Sequence, residues 1–361
     1  MSLEPTAENT GIKPQRISTK HVNRIKVLGV VLTLGGIALF LYFVYSVGVA
    51  EIIDKIGKFG FVGFAIILLI YFVRIVMRAC SWKLSVYEPY KLSLRDTIPA
   101  VIIGEAMSSM LPLGILISGT SKAVAVRHRV PIVVGLSSVA TENLFYSFTT
   151  SVFLMLGAYT FLRNFQLDDS LAISIDVLII VLLVLLVLGL VMVVRQWHFA
   201  SETCEWLYRK GIAKRFLEHG RSEVRLFENL IYGFYRRYPR RFLPICLIEA
   251  AFHLLGVFEV WFILNRISEN ASVMNAFLLE SVSRLVTILF KLVPFLIGVD
   301  EAGAQFVAET VAAGVGIGVT LAIIRKGRIL FWTAIGLILI VKRGISLRQI
   351  SKAAAESSQP K

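Results

Sequence analysis

Long runs of apolar residues alternate with short charged segments along the 361-residue chain. A helix rises about 1.5 Å per residue, so roughly 20 apolar residues cross a bilayer core of about 30 Å. The main apolar runs are Val27–Val47, Phe59–Val73, Ile132–Leu162, Leu171–Val194, Phe242–Leu264, Ala302–Ile324 and the shorter Ile329–Val341. This pattern predicts an all-α polytopic membrane protein with about seven transmembrane helices.

Two further apolar segments contain residues that break helices. Thr97–Ser118 includes Pro112 and has basic residues on both sides, and Ala276–Gly298 ends with Pro294 and Gly298. Proline and glycine both weaken a continuous helix. Broken backbone is tolerated at membrane depth only where it is buried in protein or lines a cavity. We therefore predict two re-entrant pairs of half-helices, in which Pro112, Pro294 and Gly298 have structural roles.

The two broken segments occupy corresponding places in the two halves of the chain and enter from opposite faces. This arrangement is typical of transporters with inverted repeats, whose half-helix ends meet at a substrate site near the midplane. The prediction depends on hydropathy and on the positions of the breaks. The predicted units are a basic cytoplasmic tail (1–26), a first membrane half (27–194), a cytoplasmic amphipathic connector (195–241), a second membrane half (242–344) and a polar tail (345–361).

The distribution of Lys and Arg predicts a cytoplasmic N-terminus, because basic residues favour the cytoplasmic side of a membrane protein. Residues 195–241 carry eleven basic residues against five Glu and are assigned to the same side. They form either an amphipathic helix on the headgroups or a solvated connector. The charge-balanced segment 51–58 is typical of an outer loop, and Arg325–Arg328 marks the inner end of the sixth helix. The run Ile329–Val341 is short for a full span, so the sequence does not decide whether it crosses the membrane.

Composition supports a membrane location and excludes other classes. The chain is 56% hydrophobic and 17% charged, with a mean hydropathy of +0.74, well outside the range of a soluble domain. The net charge is +14, and the basic residues that produce it lie in short segments beside the apolar runs. We therefore expect anionic inner-leaflet headgroups, and not nucleic acid, as their partner. The three cysteines have no metal-binding or redox spacing, so we expect neither a metal nor another cofactor.

Ionisable residues inside the apolar runs are the candidate functional residues. A charge at the bilayer centre costs roughly 2.5–3.5 kcal/mol on insertion scales, so such a residue is functional by default. We assign substrate binding or charge relay to Glu105, Lys122, Glu142, Arg284, Lys291, Asp300 and Glu301. For Arg74 and Arg78, snorkelling to headgroups is the alternative. For Arg284, the alternative is a local ion pair with Glu280, four residues earlier on one helix face.

Asp300 and Glu301 follow the second break and precede an apolar run. A short acid at this point caps a helix N-terminus and meets its partial positive charge, a role that we assign to Asp300. The cap does not require a second acid. We therefore expect Glu301 to face a polar cavity and to pair with Arg284 or Lys291.

Gly314 and Gly318 lie four residues apart in the sixth apolar run. Such spacing puts two small residues on one helix face, where they let helices approach closely in lipid. We predict a structural role in packing for both glycines.

Catalytic motifs give no support for an enzyme. The sequence has no HExxH, no GxSxG and no P-loop. We therefore expect a protein that is not an enzyme. An intramembrane transferase that uses Glu142 or Glu301 stays open as an alternative.

Four stretches resemble the flippase-like family that includes the membrane region of lysylphosphatidylglycerol synthetases. They are LPLGILISGTSKAVAVRHR, VATENLFYSF, VPFLIGVDEAGAQF and LAIIRKGRILFWTAIGL. Pro294, Gly298, Val299, Glu301 and Ala302 match the family's later motif, although Phe295–Ile297 replace its usual glycines. Glu142 matches the Glu of the family's Glu-Arg motif, and Asn143 stands where that motif has Arg. Lys122 matches the base of the earlier motif, but its preceding acid is missing, and Glu105 is the candidate substitute. The sequences around Glu105 and Glu142 are similar to those of the family branch associated with hopanoid biosynthesis.

This resemblance implies a multi-pass protein of the bacterial inner membrane that moves or handles a lipid. The aminoacyl-transferring domain of the synthetases is absent from the sequence, so lysine transfer is not implied. The expected function is translocation of an amphipathic lipid, a phospholipid or a hopanoid-type terpenoid, between leaflets. The alternatives are an accessory subunit that partners a lipid-biosynthesis enzyme, and the intramembrane transferase.

Overall fold

The computed structural model describes residues 34–35, 37–110, 114–165, 169–195, 198–210, 225, 228–269, 271–290, 293–311, 313–314 and 316–342. The regular elements within these residues are all helical, which confirms the all-α prediction. They are α1 (Ile37–Val47), α2 (Val49–Leu84), α3 (Leu94–Met110), α4 (Gly114–Ala125), α5 (Ile132–Asn164), α6 (Asp169–Arg195), α7 (Phe199–Arg209), α8 (described over 228–237), α9 (Pro239–Ile267), α10 (Val273–Leu289), the 3₁₀ turn Pro294–Leu296, α11 (Val299–Thr310) and α12 (Ile317–Lys342).

Four described helices are long and apolar enough to cross a membrane, namely α2, α5, α9 and the Ala172–Met192 segment of α6. The α6 segment has a mean hydropathy of 3.3 and no buried residue, and α6 packs against α5. α12 has 26 residues, enough to span a bilayer core, but basic residues interrupt its apolar pattern. The predicted first span and both predicted tails lie wholly or partly outside the described residues.

The segment 51–58, predicted to be an outer loop, is helical and belongs to α2. Its charged residues form two i,i+4 ion pairs on the helix surface, Lys55 with Glu51 and Lys58 with Asp54. The helical path is interrupted instead at Gly60, whose φ is 68°. The prediction was wrong because balanced charges at i,i+4 spacing support a helix as readily as a loop.

The two predicted broken segments are helical hairpins. In the first hairpin (α3–α4), Gly104 lies against Ser118 and Lys122, and in the second (α10–α11), Gly303 lies against Val286. The first helix has 17 residues in both hairpins and the second helix has 12. A long helix precedes each hairpin and another follows it. This recurring order supports the predicted organisation into two related halves.

Each hairpin returns to the end of the molecule at which it began. Asp96, at the start of α3, lies 3.6 Å from Arg129, which follows α4. Ser268, which precedes α10, donates a hydrogen bond to the carbonyl oxygen of Ala313, which follows α11, at 2.7 Å. Both segments therefore have the geometry predicted for re-entrant pairs.

The open ends of the hairpins lie at opposite ends of the α2–α9 pair, because these two helices run antiparallel. Near the start of α9, Arg241 donates to the carbonyl oxygen of Leu84, the last residue of α2. Near the end of α9, Arg266 donates to the carbonyl oxygen of Phe59 in the first part of α2. The first hairpin begins after α2 and the second begins after α9. The halves are thus inverted relative to each other, as predicted.

α5 and α12 make equivalent contacts in the two halves. Gly135 of α5 lies against α4 and Gly157 lies against α10, while Gly318 of α12 lies against α11 and Gly336 lies against α3. Each of these helices therefore packs first on the second helix of its own hairpin and then on the first helix of the other hairpin. This exchange ties the two halves together.

The predicted helix Ala302–Ile324 is two helices, which corrects the sequence analysis. α11 ends at Thr310, α12 begins at Ile317, and Gly314 lies between them with a φ of 114°. Such a backbone conformation is accessible mainly to glycine and ends a helix. Gly314 therefore has no place on a helical packing face, whereas Gly318 packs closely against the backbone of Ala304 as expected.

The two hairpins approach each other inside the bundle. α3 of the first hairpin packs against the 3₁₀ turn of the second hairpin. Ser109 of α3 also shares a hydrogen bond of 3.0 Å with Thr333 of α12. On α12, Arg325 and Arg328 lie between Ile324, which belongs to one buried apolar cluster, and Trp332, which packs against a second cluster. Charged residues thus occupy the region between two apolar cores.

The described part of the connector consists of α7 and α8. α7 separates its apolar and polar residues onto different faces, as expected of the amphipathic connector. The carboxylate of Glu228 in α8 accepts a hydrogen bond from the backbone N–H of Ser201 in α7 at 3.2 Å. The cytoplasmic location of this connector stays a prediction.

Candidate functional site

A buried charge network lies where the two halves meet. It comprises Arg74, Arg78, Glu105, Lys122, Glu142, Glu249, Glu259, Glu280, Arg284, Arg325 and Arg328. All of them are buried except Arg78, Glu105 and Arg284, which are half-buried. The network contains six basic and five acidic side chains, and the buried Asp300, which acts electrostatically on Arg325, is a sixth acid beside it. Seven helices from both halves contribute to it.

Glu280 of α10 is the most highly paired carboxylate in the network. It accepts hydrogen bonds from Arg284 at 2.6 and 2.9 Å, from Arg325 at 2.8 Å and from Arg74 at 3.3 Å. The predicted local pair of Glu280 with Arg284 is therefore present, but two other helices also supply arginines. Sequence spacing revealed only Arg284, because Arg74 and Arg325 are 206 and 45 residues away from Glu280 along the chain.

Glu259 of α9 pairs with Arg74 at 3.0 Å and with Arg328 of α12. Arg74 therefore bridges Glu259 and Glu280, and it is completely buried. This excludes snorkelling to headgroups, the alternative considered for Arg74. We call Arg74, Arg284, Arg325 and Arg328 together with their two glutamates the arginine cluster. It contains four cations and two carboxylates.

A second group of charges surrounds Glu142 of α5. The Arg78 guanidinium lies 2.5 Å from one Glu142 oxygen, and the Lys122 ammonium lies 3.5 Å from the other. The structure thus brings together Lys122 and Glu142, two residues predicted to act in one site. Asn143, which departs from the family pattern, accepts a hydrogen bond from Arg78 at 3.4 Å. Glu105 is close by and accepts a hydrogen bond from the Tyr71 hydroxyl at 2.9 Å.

Aromatic rings line the network and interact with its cations. The guanidinium of Arg74 lies 4.3 Å from the ring centroid of Phe252, and Arg78 lies 4.2 Å from that of Tyr146. Arg328 lies 4.1 Å from the ring of Tyr71. Such contacts stabilise partly desolvated cations without neutralising them. The rings therefore help to hold these side chains inside the bundle.

Glu301 has the role predicted for Asp300. Its carboxylate accepts a hydrogen bond from the N–H of Gly298 at 2.8 Å, which caps α11 from the third position of the helix. It also forms an ion pair with Lys326 of α12 at 2.6 Å. The prediction that Glu301 pairs with Arg284 was therefore wrong, because the N3 position of α11 faces α12. Asp300 is buried and acts electrostatically on Arg325.

The segment Arg325–Arg328 was missed as part of the site. The sequence analysis assigned it to the cytoplasmic end of a helix, but it lies within α12, where Arg325 and Arg328 are buried. One sequence signal could have revealed this. The apolar run after these residues is too short to span alone, and joining it to the preceding run gives one helix with basic residues inside it.

The remaining predicted positions are structural or lie outside the described residues. Pro294 begins the 3₁₀ turn, and Gly298, with a φ of 81°, precedes α11. This φ favours glycine, since a side chain there would be strained. Lys291 and Pro112 are outside the described residues.

A cavity of about 560 Å³ opens at the mouth of the first hairpin. Its basic lining residues come from three separate parts of the chain and are Lys83, Lys91, Arg129 and Arg241. Glu88 and Asp96 also line it and pair with Arg241 and Arg129. The cavity gives polar molecules a recess at the end of the bundle where the first hairpin begins.

The sequence of residues 26–337 matches the family model described as the lysylphosphatidylglycerol synthase TM region. This match covers the first half, most of the second half and every residue of the buried charge network. The chain belongs to this family. It is therefore a multi-pass membrane protein related to lipid-handling proteins, as the resemblance implied. No match was found among curated proteins or among solved structures.

Proposed function

We propose that this family member translocates an amphipathic lipid with an anionic headgroup between the leaflets of the bacterial inner membrane, and is not itself an enzyme. The observation that supports this most directly is the arginine cluster, in which four arginines share two carboxylates. Uncompensated buried charge is unfavourable, so a surplus of guanidinium groups favours binding of an anion. A phosphate group offers several acceptor oxygens and suits guanidinium donors.

The hairpin arrangement supports movement rather than simple binding. The two hairpins open at opposite ends, and α3 of the first hairpin contacts the 3₁₀ turn of the second. Motion of one hairpin at a time would expose the network first to one side of the membrane and then to the other, as in alternating access. The headgroup would pass through the network while the acyl chains stay in the surrounding lipid.

The positive mouth of the first hairpin supports a cytoplasmic entry for the headgroup. Lys83 and Lys91 line the cavity there without an ion pair among the contacts of the described residues. Basic residues on the cytoplasmic side attract anionic lipid, at about 1 kcal/mol per residue near the surface. This location agrees with the predicted cytoplasmic N-terminus.

Reconstitution tests the proposal. The purified chain in vesicles should move a fluorescent anionic phospholipid from the inner to the outer leaflet, measured by chemical quenching of the outer leaflet. Arg284→Gln, in the arginine cluster, should slow this movement by at least about tenfold, equivalent to roughly 1.4 kcal/mol in the barrier. Arg209→Gln, at an exposed position of α7, is the matched control and should move lipid at the normal rate.

Other outcomes distinguish the alternatives. A neutral terpenoid lipid moved faster than the phospholipid would favour a hopanoid-type substrate. A lipid recovered with altered mass would favour the intramembrane transferase, and absence of movement would favour an accessory subunit of a lipid-biosynthesis enzyme.

A further inference from the structure

Glu249 of α9 is a buried carboxylate that lacks the pairing seen elsewhere in the network. Its side chain is fully buried, and neither carboxylate oxygen accepts a hydrogen bond of normal geometry from the described residues. The buried Ser81 hydroxyl of α2 interacts with this carboxylate, although not in ordinary hydrogen-bond geometry. By contrast, Glu259 and Glu280 each contact at least two arginines.

Helices from both halves surround Glu249 with charged and titratable groups. α2 contributes Arg78, α4 contributes Lys122 and α5 contributes Glu142, all of which act on it electrostatically. Within α9, Cys246 and His253 lie one turn away on either side. Across the adjoining surfaces, Tyr146 of α5 stacks on His253, Tyr235 of α8 lies near Cys246, and Glu280 and Arg284 of α10 face His253.

The nearest cations are already committed to another acid. Arg78 and Lys122 both pair with Glu142, at 2.5 and 3.5 Å. Glu105 also acts electrostatically on both cations, so Arg78, Lys122, Glu142 and Glu105 sum to zero charge. An ionised Glu249 adds one negative charge to this group, and a proton on Glu249 removes it. The protonation state of Glu249 therefore decides whether this part of the site repels an anion or is neutral and leaves the two cations able to bind one.

We propose that Glu249 is a proton-binding site that couples lipid movement to protons, a step that rests on the function proposed above. A proton from the aqueous phase adds to one carboxylate oxygen and forms the neutral acid, and the same O–H bond breaks when the proton leaves on the other side. No other bond changes. The protonated state binds an anionic headgroup at Arg78 and Lys122. Because such coupling is reciprocal, a bound headgroup also favours the proton.

Infrared difference spectroscopy of the full chain in vesicles tests the proton site without requiring transport. Acidification should produce the carbonyl band of a protonated carboxylic acid, and Glu249→Gln should remove that band. Ser81→Ala should shift the band, because it removes the adjacent hydroxyl, and it keeps the test decisive if Glu249→Gln does not fold. The control Glu309→Gln, at an exposed position of α11, should leave this band unchanged. A wild-type spectrum without the band would overturn the proposal.

The coupling is tested by transport at mildly acidic and mildly alkaline pH. Movement of the anionic lipid should be on the order of tenfold faster at acidic pH, within the range of typical coupling between two sites. Glu249→Gln mimics the neutral acid and should be equally fast at both pH values, whereas Glu309→Gln should keep the pH dependence. Wild-type movement that is independent of pH, or pH dependence that persists in Glu249→Gln, would disprove coupling while the function stands. If no lipid moves at any pH, the function and the coupling both fail, and the infrared band alone decides whether Glu249 binds a proton.

Discussion

At the scale of single residues, Glu301 shows how one side chain can serve two purposes. It caps α11 through Gly298 and neutralises Lys326 on α12. The two contacts fix the start of α11 relative to the adjacent helix. An acid was expected in both roles, but the capping role was assigned to the neighbouring Asp300. Both residues are within reach of the helix start, and only the positions of the surrounding helices decide between them.

We expect Glu301→Gln to destabilise the protein by about 1–3 kcal/mol, because it leaves the half-buried Lys326 ammonium without its counter-charge. The amide oxygen of Gln can still accept the Gly298 N–H, so the cap is retained. In Glu301→Gln with Lys326→Gln, the loss should be smaller than the sum of the two single losses by about 0.5–3 kcal/mol. Denaturation midpoints in detergent measure this. Purely additive losses would mean that the two residues do not interact.

At the scale of helices, glycine positions determine how closely the elements pack. A Cβ atom at Gly318 would collide with the backbone of Ala304 and Gln305, whereas one at Gly189 of α6 would meet no atom within 4 Å. Backbone cannot move aside as a flexible side chain can. Gly318 therefore marks a contact that fixes the α11–α12 distance.

Gly318→Ala should lower the free energy of unfolding by about 1–3 kcal/mol, the usual cost of overpacking. Gly189→Ala is the matched control, and it should be neutral or raise stability by up to about 1 kcal/mol, because alanine favours a helix more than glycine does. Thermal unfolding of both variants in the same detergent makes the comparison. Equal midpoints would argue against a tight α11–α12 contact.

The sequence predicted the positions of the hairpins better than it predicted which side chains pair with each other. Proline, glycine and flanking charges were sufficient to locate both hairpins, because such breaks are local features. The partners of Glu280 on α2 and α12 could not be found from spacing, since long-range ion pairs leave no periodic signal. The break at Gly314 was missed for another reason. Apolar residues continue across it, and hydropathy does not report a φ of 114°.

At the scale of the whole molecule, the opposed hairpins define which ends face which side of the membrane. Lys91 and Arg129 are exposed at the mouth of the first hairpin, and Glu269 and Glu309 are exposed near the mouth of the second. The antiparallel α2–α9 pair separates these two mouths. A bilayer around the bundle would therefore place the two pairs of residues in different compartments.

Single cysteines at these four positions, in a chain with its three native cysteines replaced by alanine, test this arrangement. A membrane-impermeant thiol reagent should label Lys91→Cys and Arg129→Cys from the cytoplasmic side. It should label Glu269→Cys and Glu309→Cys from the opposite side. Labelling of the two members of one hairpin from different sides would show that the hairpin crosses the membrane.

The exposure of α6 becomes understandable when membrane crossings are counted. The first half consists of α2, a hairpin that returns to its side of entry, and α5, so it crosses an even number of times. A second half joined directly to the first would have the same orientation. α6 supplies the odd crossing that reverses the parity. This task requires length and apolar character but no specific neighbour, which accounts for a mean hydropathy of 3.3 and no buried residue in Ala172–Met192.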